Sequence, residues 1–149
     1  MDKPLGGVFA LSEPGSGTET ILLVEDDGVI RKLTMNLLEM GGYKILAAQD
    51  SDEAIKICEE YKETIHLLMT DIVIPKMDGR ELYEKIMLKR PDIKVLFTSG
   101  YTENVIFHQG GVDPGVAFLQ KPFTAAGVTR KVREVLESPL KFRARKRVA

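Results

Sequence analysis

Five short stretches of the chain are dense in apolar residues without strict alternation: TILLV (20–24), YKILAA (43–48), HLLMT (66–70), IKVLFTS (93–99) and VAFLQ (116–120). A strand with one wet face alternates apolar and polar residues, whereas a strand covered on both faces does not. Each stretch therefore reads as a strand buried between two layers of helix. The intervening segments switch to helical spacing. GVIRKLTMNLLEMGG places Ile30, Leu33, Leu37 and Met40 on one predicted stripe and stops at a glycine pair. SDEAIKICEEYK opens at Ser51 with acids in its first turn. DGRELYEKIMLKR (78–90) starts from an Asp78 cap and is closed by Pro91. TENVIFHQG (102–110) reads as a short helix, and TAAGVTRKVREVLES (124–138) carries Val128, Val132, Val135 and Leu136 as its stripe. Parallel strands joined by right-handed helical crossovers predict a three-layer, doubly wound α/β domain with a five-stranded sheet.

The alternation occupies residues 19–138, and 149 residues suit one domain with a real core. Residues 1–18 are rich in Gly, Pro and Ser and read as a linker or tail. Residues 139–149 form a basic tail: LKFRARKRVA holds five bases and no acid, and the remaining 16 bases face 22 acids. A mildly acidic globule of this kind does not suggest direct nucleic-acid binding. A lone cysteine, Cys58, excludes an internal disulfide and fits the apolar face of a helix in a reducing compartment. No apolar run approaches the roughly 18–20 residues of a membrane span, and the start lacks a secretory layout. The expectation is a cytoplasmic domain with no membrane insertion.

In open parallel sheets, sites form beyond the carboxyl ends of the strands. The first strand ends in Glu25, Asp26 and Asp27, the third in Asp71, the fourth in Thr98 and Ser99, and the fifth in QKPF with Lys121. With strand order 2-1-3-4-5, the first and third strands are neighbours about 4.8 Å apart, so Glu25, Asp26 and Asp71 crowd together. Such carboxylates repel one another, and an oxygen-loving divalent cation, Mg2+ or Mn2+, resolves the conflict. The backbone carbonyl of Val73 is placed to add a ligand. Ser99 and Lys121 then offer a hydroxyl and an ammonium around Asp71, a phosphoryl-binding arrangement with Asp71 as nucleophile. Thr98 reads as structural, pointed away from Ser99 by alternation. Asp27 and Asp78 read as helix caps, Pro75 as a stiffener of the loop beside Asp71, and His66 and His108 as filling. Tyr101 is open between a lid over the site and part of a partner-binding face.

The motifs LVEDD, MTDIVIPKMDG, FTSGY and FLQKPF, in this order over about residues 20–138, resemble those of response-regulator receiver domains. The resemblance implies the flavodoxin-like receiver fold, with strand order 2-1-3-4-5. It implies that Asp71 is the phosphoacceptor, that Glu25 and Asp26 hold the metal, and that Lys121 is the lysine of the site. It makes Ser99 the switch hydroxyl and Phe118 the switch aromatic, and makes the Lys121–Pro122 bond cis. Position 25 is Glu where the family more often has Asp, and Phe118 lacks a hydroxyl, so a switch there works by packing.

An aspartate-nucleophile phosphatase needs a second acid two residues after the nucleophile, where this chain has Val73. A flavin carrier of the same sheet order needs a phosphate-binding loop after the first strand, where EDDG repels phosphate. The expected partner is a histidine kinase or a histidine phosphotransfer domain, and a dimer through the fourth helix and fifth strand is compatible with the family. GTETILLVEDD, VLFTSGYTENVI and DPGVAFLQKPFT look most like receivers at the C-terminus of hybrid sensor histidine kinases. The alternative is a stand-alone single-domain regulator that acts through protein–protein contact. In neither case is the chain expected to be an enzyme in its own right, beyond assisting its own phosphotransfer and dephosphorylation.

Overall fold

The computed structural model describes residues 17–99 and 117–138. In chain order these form β1 (Thr20–Val24), α1 (Gly28–Met40), β2 (Lys44–Ala48), α2 (Ser51–Glu60), β3 (Leu67–Asp71), α3 (Gly79–Lys89), β4 (Lys94–Ser99), β5 (Ala117–Gln120) and α4 (Ala125–Glu137). The predicted segment 102–110, with Tyr101, His108 and the dimer surface that would use that segment, lies outside the described residues. So does almost all of both predicted tails.

The five strands are all parallel, in the order β2-β1-β3-β4-β5. Alternate side chains of each strand enter two separate cores. Leu22, Val24, Leu68, Val95 and Phe97 pack with Ala54 and Cys58 of α2 and Leu82, Tyr83 and Ile86 of α3. Ile21, Leu23, Leu67, Met69 and Leu96 pack with Leu38 of α1 and Val128, Val132 and Val135 of α4. Two covered faces explain why the strands read as unbroken apolar runs. Truncating a fully buried residue such as Leu38 to Ala should cost about 2–5 kcal/mol.

Helix starts follow local chemistry. The Asp27 carboxylate accepts from the amides of Val29 and Ile30. Asp78 and Glu81 form a reciprocal capping box on α3. On α2 the cap is Asp50, whose side chain accepts from the Glu53 amide; Ser51, read as the opening residue, lies inside the helix and is buried. The stripe expected on α1 is also displaced. Thr34 and Leu38 are its buried residues, while Leu33 is 58% and Met40 82% exposed. A period of 3.6 leaves neighbouring rows of α1 almost equally apolar, and packing against α4 selects the row through Leu38.

Gly79 has a specific reason to be glycine. A Cβ there would lie 2.3 Å from the Asp71 carbonyl oxygen, so the start of α3 is laid directly on the backbone of the β3 end.

Candidate functional site

Strand parity decides what reaches the carboxyl edge of the sheet. Leu67, Met69 and Asp71 alternate onto the face covered by α1 and α4, as do Leu96 and Thr98 on β4. Asp71 and Thr98 are register partners, and the Thr98 hydroxyl donates to Asp71 Oδ1 at 2.7 Å. Ser99 is one residue out of phase. Its hydroxyl is fully buried and makes no hydrogen bond among the described residues. Thr98, read as structural, thus reaches the carboxylate, and the Ser99 hydroxyl does not. Alternation counted from the apolar Leu96 gives this result from sequence, whereas counting from the motif's last polar residue does not.

Glu25 follows Leu23 with the same parity, and Lys121 follows Leu119. Lys121 Nζ stands 2.8 Å from Glu25 Oε1, and 2.8 and 2.9 Å from the two oxygens of Asp71. The Glu25 side chain is 6% exposed and that of Asp71 5%. The second Glu25 oxygen accepts from the Asp27 amide, and Arg31 donates to the Glu25 carbonyl at 2.8 Å. These contacts fix the turn between β1 and α1. Asp26 is exposed at its rim. Ligand atoms of Glu25, Asp26 and Asp71 all lie within 4.8 Å of one another. The Lys121–Pro122 bond is cis. Val73 is two residues past Asp71, with a half-exposed side chain. Phe118 is half-buried beside the α2–α3 core, in register with Phe97. His66 takes a structural part, its Nδ1 accepting from the Thr20 amide.

Burial pushes the Asp71 carboxyl up to about 7. The hydrogen bonds from Lys121 and Thr98 oppose this, and the charge of Glu25 adds to it. On Lys121, burial acts downward, but its bonds to Asp71 and Glu25 outweigh it and the net shift is upward. One ammonium thus serves two buried acids, and the more central acid is left under-compensated. Three hard oxygen donors at this spacing suit a small divalent cation such as Mg2+ or Mn2+, and the added positive charge would favour the ionised form of Asp71.

The sequence model of the response regulator receiver domain matches residues 21–133. The chain belongs to that family. A sensor kinase, CckA of Brucella abortus, is 36% identical over 122 residues, covering 82% of this receiver but only 13% of the kinase. The chain thus spans a small part of that relative's length. The receiver protein CpdR of the same species is 31% identical over 116 residues, covering 78% of this receiver and 95% of CpdR. Among solved structures, the receiver domain of the hybrid histidine kinase CckA has a TM-score of 0.66 at 32% identity, covering 79% of this receiver and 99% of that domain. A receiver from Clostridium thermocellum has a TM-score of 0.67 at 26% identity, covering 87% and 98%.

Proposed function

We propose that this receiver accepts a phosphoryl group on Asp71 from a phosphohistidine of a histidine kinase or a histidine phosphotransfer domain. The observation that carries the reading is the buried Asp71 carboxyl, bonded by Thr98 and Lys121 and flanked by Glu25 and Asp26. In the reaction an Asp71 oxygen bonds to phosphorus as the phosphorus–nitrogen bond breaks, and the imidazole leaves. A carboxyl raised by burial to about 7 is partly protonated near neutral pH, and the neutral acid is a poor nucleophile. Glu25, Asp26, Asp71 and the Val73 carbonyl would hold Mg2+ or Mn2+, which supplies charge that favours ionised Asp71 and screens the incoming phosphoryl oxygens. Lys121 pairs with the product's added charge of about −1.5 to −2. In this reading Ser99 is the switch hydroxyl, Thr98 holds Asp71 before phosphorylation, and Phe118 responds by repacking against Phe97. Such coupling is typically worth about 1–3 kcal/mol.

The partner would approach over Asp26 and the neighbouring exposed face of α1, where Val29 and Leu33 are 79% and 58% exposed. An apolar helical surface beside the acceptor suits a helical donor protein. The chain assists its own phosphotransfer and dephosphorylation and turns over no separate substrate, which is a non-enzymatic, cytoplasmic role. The likeness to CckA favours a receiver fused to a sensor kinase. The match along nearly all of CpdR favours a free-standing regulator instead. Reading the gene upstream of residue 1 separates the two.

Incubation with acetyl phosphate and Mg2+ should add one phosphoryl group by intact mass. The adduct should map to Asp71 and be absent in Asp71→Asn. A Mg2+-independent adduct, or one that survives Asp71→Asn, would refute the assignment.

A further inference from the structure

The loop from Ile72 to Asp78 carries the Val73 carbonyl, and its shape is over-determined. Ile72 and Ile74 are buried at its start. The Gly79 amide returns to the Ile72 carbonyl at 2.7 Å and closes it. Between them Lys76 takes φ +82°, the left-handed region that a side chain disfavours and glycine enters freely. A lysine there adds what a glycine lacks, a long cationic arm. The ammonium of Lys76 lies 2.6 Å from Asp52 Oδ2 and 3.9 Å from Asp50 Oδ2, both at the start of α2. The adjacent Ser51 hydroxyl donates to the Pro75 carbonyl at 3.4 Å. Two neighbouring loop residues are thus tied to the same helix start. Strain of this kind persists where surrounding contacts enforce it.

We propose that Lys76 is a positioning residue for the cation site: paired with Asp52, it ties the loop after Asp71 to the start of α2 and holds the Val73 carbonyl toward Glu25, Asp26 and Asp71. The inference rests on the cation-binding reading of that cluster. It also gives α2 a part in the site, although α2 supplies no ligand.

Coulomb's law and the tether give opposite signs for one substitution. Lys76→Met removes a cation from the neighbourhood of an anionic site, so electrostatics alone tightens binding of a divalent ion. A lost tether loosens it. The probe is Mn2+ alone, with free ion counted by electron paramagnetic resonance, on the full chain. Both Lys76 and Asp52 side chains are more than half exposed, so the variants should fold. Lys76→Met should weaken Mn2+ binding roughly two- to fivefold, the range a solvent-exposed ion pair can transmit. The double variant with Asp52→Asn should be no weaker than the weaker single one, because both cut the same tie. Lys76→Arg should restore affinity. Amide exchange at Val73 and Ile74 should quicken in Lys76→Met with global stability unchanged. If the unmodified protein binds Mn2+ and Lys76→Met binds it equally or more tightly, the positioning role is wrong. If the unmodified protein does not bind Mn2+, the cation-site reading fails first and the inference with it.

Discussion

β1 is bracketed by two acids, and each meets a base delivered from the far end of the sequence. At its amino end Glu19 takes a 2.7 Å bond from Arg133 of α4; at its carboxyl end Glu25 takes a 2.8 Å bond from Lys121. The two ends share ion-pair chemistry and differ in burial. Hydrogen bonding by Arg133 holds the Glu19 carboxyl below its usual range, even though the same guanidinium also pairs with Glu137 at 2.9 Å, because this cluster sits at the solvent boundary. At the other end a single lysine is shared between Glu25 and Asp71. Burial drives Asp71 up to about 7. The amino end is a settled structural tie. At the carboxyl end two buried acids share one base, and Asp71 is left under-compensated. Each end sets one base against two acids, and the difference between them is the depth of burial: Glu137 is 66% exposed, whereas Glu25 and Asp71 are 6% and 5% exposed.

Removing the shared cation should have the largest effect. Lys121→Met leaves Glu25 and Asp71 facing each other with no cation between them, and should cost about 3–5 kcal/mol at about pH 8 by urea unfolding. The loss should shrink in mild acid as Asp71 takes up a proton.

Removing the excess acid should act in the opposite direction. Asp71→Asn should stabilise the divalent-free protein by about 2 kcal/mol at about pH 8 while abolishing phosphoryl uptake. The folded value of about 7 lies above the ordinary 3.8. The stability attached to Asp71 is therefore fully present below pH 3.8 and is lost as pH rises through 7. The gain in Asp71→Asn should accordingly grow across that window and level off above it. A gain independent of pH would break the contrast between the two ends. Glu19, shifted the other way, stabilises above its ordinary value of 4.5 and loses that contribution as pH falls through its folded value.

Cutting the tie at the amino end should have the smallest effect. Glu19 and Arg133 side chains are each 23% exposed, so Arg133→Met should cost about 1 kcal/mol or less, with little change in Mg2+ affinity. A loss as large as that of Lys121→Met would erase the distinction.

The layered fold and the acids of the site were legible because both depend on local signals. Unbroken apolar strands imply two covered faces, and carboxylates placed directly after strands must gather at one edge. Asp27 and Asp78 were readable as caps for the same reason. What was not legible depended on phase. Ser99 and Thr98 are adjacent polar residues at a strand end, and only the register of β4 against β3 decides which meets Asp71. On α1 the choice between the rows through Leu33 and Leu38 is made by the packing of α4, nearly a hundred residues later. The part of Arg133 in holding Glu19 was equally hidden, since nothing near either residue announces the other.

The most direct test of the under-compensated site is a calorimetric Mg2+ titration at about pH 6 and about pH 8. If the cation takes the place of a proton on a buried carboxyl of pKa about 7, Mg2+ should bind roughly tenfold more tightly at the higher pH, with proton release at the lower. Equal affinity at both, or no binding at either, would contradict it.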